Sequence, residues 1–283
     1  MVDRAHSQRR SRFAAEDRLW VSAGLFVSLA LGIGLPVALA VLWSLSDGWP
    51  AHRLLPEAYT VSHWASVLQN EDMAEALASS LLVAVAVSMA TAVLAIPAAW
   101  ALAKFPLRAK RAIEIFILAP LLVPGVVVAI GMGEVLLHLG LMYSFAGVVL
   151  VQIVGTLPLM IRLLVASFET LPDELMHAAR TLGATPWRVF LHIVLPLSVP
   201  GLLAGGLLSF VASFEEFDKS FIVGAPVVQT LPILLFQYLD PYAMQFPLAA
   251  TVALLLLAPA LVVFILAGRI LREDVMAAGM GKV

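Results

Sequence analysis

The sequence predicts an all-α integral membrane protein with six transmembrane helices. Both termini are expected in the cytoplasm, with a cytoplasmic loop of chemical interest between the fourth and fifth helices. Three observations predict this. The 283 residues are 61% hydrophobic and only 13% charged, with a mean hydropathy of +0.98; soluble domains run at about 45–50% apolar and about 25% charged. A water-soluble fold with that excess would expose large apolar patches, which soluble monomers avoid. Uncharged runs long enough to cross about 30 Å of hydrocarbon recur along the chain, and Lys and Arg fall on alternate sides of them.

The first span is read at 19–43, after a basic segment carrying Arg4, Arg9, Arg10, Arg12 and Arg18. Its apolar run exceeds the 7–15 residues of a secretory signal core, so it is expected to stay as an uncleaved helix. Spans two to six are read at 79–103, 115–137, 146–166, 195–214 and 246–267. Span three carries Pro120 and Pro124-Gly125, which predict a kink or local unwinding. Tyr143, Ser144 and Gly147 supply the turn into span four. The uncharged stretch Ser220–Leu239 holds Gly224, Pro226 and Pro232 and is read as a re-entrant or outer-face segment. Charge supports that choice: with six spans, all of the 17 Lys and Arg except Arg53 and Lys219 lie on the inner side, as cytoplasmic loops require. The expected organisation is therefore a tail at 1–18, a membrane domain at 19–267 and a second tail at 268–283.

Other classes are excluded by what is missing. The formal charge of −2 gives no basic field for nucleic acid, and the absence of Cys removes thiolate chemistry and Cys-based metal sites. His-Glu-x2-His and Gly-x-Ser-x-Gly do not occur, and the six His are scattered without metal-ligand spacing. No catalytic residue and no metal site are assigned. A phosphate-binding Gly-x4-Gly-Lys-Ser/Thr is also lacking.

The most informative stretch is 170–196, TLPDELMHAARTLGATPWRVFLHIVLP. Thr170 is placed to cap a helix, with Pro172 in its first turn and Asp173 and Glu174 at the positive end of its dipole. Leu171, Leu175, Ala178 and Leu182 share one stripe. Gly183 is placed to end the helix in a left-handed cap, and Thr185-Pro186 to start another. The result is a short amphipathic hairpin suited to docking in a partner's groove.

At this point the sequence resembles a known family. Ala178-Ala179, Gly183, Ile193 and Leu195-Pro196 match the EAA loop of binding-protein-dependent ABC importer permeases, with His177 where that loop usually begins with Glu. The likeness runs over roughly 75–270. It includes Ser213-Phe214-Glu215-Glu216 and Thr230-Leu231-Pro232, which look most like the second permease of spermidine/putrescine importers and their aminoethylphosphonate relatives. The resemblance implies an ATPase-coupling role for Glu174, His177, Ala178, Ala179, Gly183, Pro186, Leu195 and Pro196. It implies a second permease, hetero- or homodimeric, as partner, with a cytosolic ATPase dimer holding ATP and Mg, an external binding protein and inner-membrane lipid around the bundle. No cofactor is expected on this chain itself. Charges inside bilayer helices are expensive and tend to face a cavity. Glu134, Glu215, Glu216 and Asp218 are therefore the expected substrate path for a protonated amine, a polyamine first. Aminoethylphosphonate, another organic solute or ferric ion are the alternatives, and an independent channel or secondary transporter is the competing class.

Overall fold

The computed structural model describes the chain over residues 2–50, 52–239 and 245–280; side-chain placement is described from Ser22, except at 23, 266–267 and 269–280. The basic residues of both tails lie outside those side chains. In chain order the elements are α1 (Val2–Ser44), β1 (Ser46–Asp47), β2 (Ala58–Tyr59), α2 (Ser62–Gln69), α3 (Glu71–Lys104), α4 (Lys110–Leu122), α5 (Gly125–His138) and α6 (Phe145–Glu169). They continue with α7 (Asp173–Thr181), α8 (Pro186–Val189), a π-turn at Phe190–Val194, α9 (Leu195–Leu197), α10 (Val199–Phe214), α11 (Asp218–Gly224), α12 (Leu231–Tyr238) and α13 (Phe246–Met280). Among the described residues the one departure from an all-α fold is the two-residue antiparallel ladder of β1 and β2, pairing Ser46 with Tyr59.

Four helices are long and apolar enough to cross a membrane: Gly24–Ser44 within α1, α3, α6, and Phe246–Ile265 within α13. Two more candidates are bent pairs. α4 and α5 meet at 100°, and the segment Pro186–Leu197 meets α10 at 67°. Span three, read at 115–137, is broken where Pro124-Gly125 predicts a kink or unwinding. Its break lies at Val123-Pro124, where Val123 is extended (φ −93, ψ 130); the residue before a proline is pushed out of the α region by the ring. Pro120 stays inside α4. Ser220–Leu239 crosses nothing as a single helix, because α11 and α12 are short and separated by the Ala225–Thr230 loop.

The body is built on α3, with α6 and α10 packed along it. At about 1.5 Å per residue the 34 residues of α3 span roughly 50 Å, so its ends project beyond the hydrocarbon. Small residues bring α10 against α6: a Cβ added at Gly201 would strike the Ser167 side chain, and one at Gly205 would strike Met160 Sδ. The Gly-x3-Gly pair thus serves packing within this chain. Buried polar side chains pair across helices, Thr91 with Thr156 at 2.9 Å and Gln152 Nε2 donating to Ser220 Oγ at 2.8 Å. α1 is the exception to this packing. None of its most apolar window is buried, and among the described residues its main packing is against α13.

Gly147 sets the turn into α6. Ser144 accepts the Gly147 amide at 3.1 Å, and a Cβ on Gly147 would collide with the Leu141 carbonyl oxygen. Backbone cannot swing aside as a side-chain tip can. Gly147→Ala is therefore expected to cost about 1–3 kcal/mol, read as a lower melting temperature in detergent; an unchanged transition would contradict the close approach.

Candidate functional site

The Asp173–Leu197 segment forms a helical hairpin at the Lys104 end of α3. α7 is closed by a glycine cap with both diagnostic bonds: Ala184 N donates to Ala179 O and Gly183 N to Arg180 O, each at 3.0 Å. Gly183 has φ +85, the left-handed conformation expected of it. Thr185 caps α8, accepting the Arg188 amide, and Pro186 occupies its first turn. The start of α7 differs from expectation. Thr170 closes α6 instead, its hydroxyl donating to Ser167 O at 2.8 Å, and α7 begins after Pro172. Met176 is buried and Leu171 and Ala179 pack on the core, while Leu175, Ala178 and Leu182 face outward.

The hairpin therefore exposes both large apolar and charged side chains. Leu182 is 88% exposed and Trp187 67%, and Glu174, His177 and Arg180 are exposed too. Pro186 and Pro196 are exposed as well, and Leu195 is half-buried. Large exposed apolar side chains among polar ones mark an interaction surface.

The opposite face roots in the bundle. Met176, Val189 and Val194 join Ala95, Ala99, Leu102, Leu164 and Phe168 in one buried cluster. A row of rings continues this contact: Trp187 stacks on Phe190 at 5.9 Å, Phe190 meets Trp100 at 5.8 Å, and Trp100 meets Phe168 edge-on at 5.5 Å. One turn beyond Trp100, Lys104 Nζ donates to Leu171 O at 2.8 Å and to Asp173 Oδ1 at 2.7 Å. The Asp173 carboxyl is held below its ordinary range first by that hydrogen bond and the Lys104 charge, and more weakly by His177. With a depressed folded value, this contact stabilises above the usual carboxylate pKa and is lost only as pH falls through the lowered one. Coupling is therefore expected to show no dependence on Asp173 between about pH 5 and 8; a transport loss on mild acidification that Asp173→Asn removes would contradict this. Sequence reading missed Trp100, Lys104, Trp187 and Phe190. Their one local signal was the four-residue spacing of Trp100 and Lys104, which places them on one helix face.

The four acids are not gathered into one pocket. Glu134, on α5, is exposed and lies 3.2 Å from His138 Nε2. Glu215 is exposed at the end of α10. Glu216 pairs with Lys219, whose side chain is 9% exposed. Asp218 begins α11, with Oδ2 3.1 Å from where a Gly125 Cβ would stand, so its charge faces the N-terminus of α5. Of the four, Glu216 lines a cavity of about 190 Å3 at the break in span three, shared with Gly125, Gln152, Gly155, Ser213 and Lys219. Ser213 Oγ donates to Gln152 Oε1, so the neutral polar groups there satisfy one another. Lys219 spends one of its three ammonium donors on Glu216, and no other acceptor meets it among the described residues. Among the described residues no group of three or more His, Asp or Glu could hold a metal ion.

Comparison with known proteins bears on both the hairpin and the bundle. The chain is 31% identical over 216 residues to the ABC transporter permease protein ORF1 of Streptomyces antibioticus, covering 76% of this chain and 94% of that one. It is 37% identical over 177 residues to the molybdenum transport system permease protein ModB of Haemophilus influenzae, covering 57% of this chain and 77% of the relative. Its fold superposes on a chain of a bacterial ABC transporter involved in alginate import with a TM-score of 0.72, at 19% identity, covering 90% of this chain and 97% of the other. Both named relatives are permease proteins of transport systems. Residues 93–273 match the model of the binding-protein-dependent transport system inner membrane component, and the chain belongs to that family of multi-pass inner-membrane permeases.

Proposed function

We propose that this chain is one of two membrane halves of an ATP-driven importer, with a second permease, hetero- or homodimeric, forming the other wall of the path. Each bent helix pair counts as one span, giving six, with both termini and the α7–α8 hairpin in the cytosol. A cytosolic ATPase dimer grips the outward face of the hairpin around Leu175, Ala178, Leu182 and Trp187, and an external binding protein delivers the solute. The observation that carries this reading is the hairpin itself: one face apolar and exposed, the other rooted in α3 and α6. The test is co-expression with the neighbouring ATPase and binding protein. The tagged chain should co-purify the ATPase and support uptake into proteoliposomes only with ATP. Because the chain has no native Cys, a single Thr181→Cys should react with an impermeant maleimide only from the inner side. Uptake without ATP, or labelling of that residue from outside, would defeat the reading.

For the solute, a polyamine is the leading choice. Glu134, Glu215, Glu216 and Asp218 outnumber Lys219 along α5 and the α10–α11 elbow, so the local field favours a cation. One observation favours 2-aminoethylphosphonate as the second reading: the two unspent donors of Lys219 beside the cavity suit an oxyanion, while the acids take the amine. Competition of putrescine against 2-aminoethylphosphonate in the uptake assay separates them.

A further inference from the structure

We infer that Lys104 is a positioning residue that locks α3 to the coupling hairpin, so that movement of α7 is delivered to the far end of α3. This rests on the importer reading above.

The hairpin has little else to hold its leading helix. α7 is nine residues long and buries one side chain, Met176. A short helix held through Met176 and the half-buried Ala179 can rock when a partner pulls on it, and the motion is then lost in the loop. Lys104 supplies a further, polar anchor at its start. As the last residue of α3 it reaches across to the junction of α6 and α7, where the Leu171 carbonyl follows the end of α6 and Asp173 opens α7. One ammonium thus binds a backbone acceptor at the junction together with a carboxylate in the first turn of the helix it holds. The Lys104 side chain is 11% exposed, so this is not a pair of two solvated termini of the kind that contributes little. Asp173 is itself 61% exposed, which makes the carbonyl the firmer of the two contacts. Trp100, on the same face of α3, meets Phe168 of α6 and Phe190 of the hairpin. The last two turns of α3 are therefore gripped twice, by rings and by charge. From Lys104 back to Glu71 α3 is one 34-residue helix with Pro97 inside it, just before Trp100, so displacement taken up at Trp100 and Lys104 passes that proline before it travels the remaining length.

The experiment uses the full importer, the permease pair with its ATPase, carrying a single Ala78→Cys near the other end of α3, where the side chain is exposed. The rate of maleimide labelling is compared between nucleotide-free and ATP–orthovanadate-trapped complexes. With Lys104 present, trapping should change the rate at least fivefold. Lys104→Met should reduce that change to under twofold while the ATPase still co-purifies, and Lys104→Arg, which restores two donors, should recover most of it. A full labelling change in Lys104→Met overturns the inference. So does loss of ATPase association in that variant, which would make Lys104 part of the fold, or an unchanged rate in the parent while its ATPase is bound and trapped. If the parent chain never associates with an ATPase, the importer reading fails first and is identified as the failure.

Discussion

Replacing Gly183 by valine is expected to cut ATP-driven uptake about tenfold while leaving the membrane bundle folded. The residue stands at φ +85, and nothing lies within 4 Å of the position a Cβ would take. The penalty is therefore one of backbone conformation, not of crowding. Left-handed geometry costs an L-residue roughly 1–2 kcal/mol, and a β-branched side chain is the worst case. To escape that cost the chain must rotate φ, which gives up the Ala184 N to Ala179 O and Gly183 N to Arg180 O bonds that turn α7 back toward α8. The outward face is then split: Leu175 and Ala178 point one way and Trp187 another. A bias of about 1.4 kcal/mol against the docked geometry is a factor of ten in its population. Gly183→Asn should lose much less, because Asn enters the left-handed region several-fold more readily than other side chains. Uptake and binding-protein-stimulated ATPase activity measured on the three chains give the order Gly, Asn, Val. Wild-type rates in Gly183→Val would show that the hairpin's aim does not matter.

The features that could be read from the sequence are those set by local physics. Hydrocarbon tolerates few charges, so the apolar runs at 19–43, 79–103, 146–166 and 246–267 each fall within a long helix. A glycine after an amphipathic turn has few other uses, and Gly183 takes the conformation expected of it. Other features depend on partners distant in sequence. Pro124 marks the break in span three, but the 100° bend is decided by packing against α6 and α11. Thr170 has the chemistry of a helix start, yet its hydroxyl satisfies Ser167 O at the end of the preceding helix. Both uses are open to a threonine next to a proline. The stripe through Leu171, Leu175, Ala178 and Leu182 is legible as a periodicity, but which residues root the helix is not, because α7 docks through Met176 and Ala179 and leaves Leu175, Ala178 and Leu182 exposed. Lys104 reads as one basic residue among several until the fold brings Asp173 to it from 69 positions away.

The Lys219–Glu216 pair is where charge and packing meet most sharply, and it should give the largest stability effect in the molecule. Lys219 is 9% and Glu216 19% exposed in their side chains, at the elbow between α10 and α11. Removing one partner strands the other in a low dielectric, which costs about 3–5 kcal/mol. Glu216→Gln and Lys219→Met should each lower the melting temperature of the purified chain by about 6–20 °C, taking roughly 2–4 °C per kcal/mol for a chain near this length. The double variant should recover most of that loss, since an ion pair replaced by groups of similar volume is often neutral. Transport then separates the two solute readings in chains matched for stability. A diamine requires the carboxylate alone, so putrescine uptake should fall in Glu216→Gln and persist in Lys219→Met. An amine joined to an oxyanion requires both charges, so 2-aminoethylphosphonate uptake should fall in all three. Melting and uptake that stay at wild-type values in every variant would remove this pair from both the fold and the path.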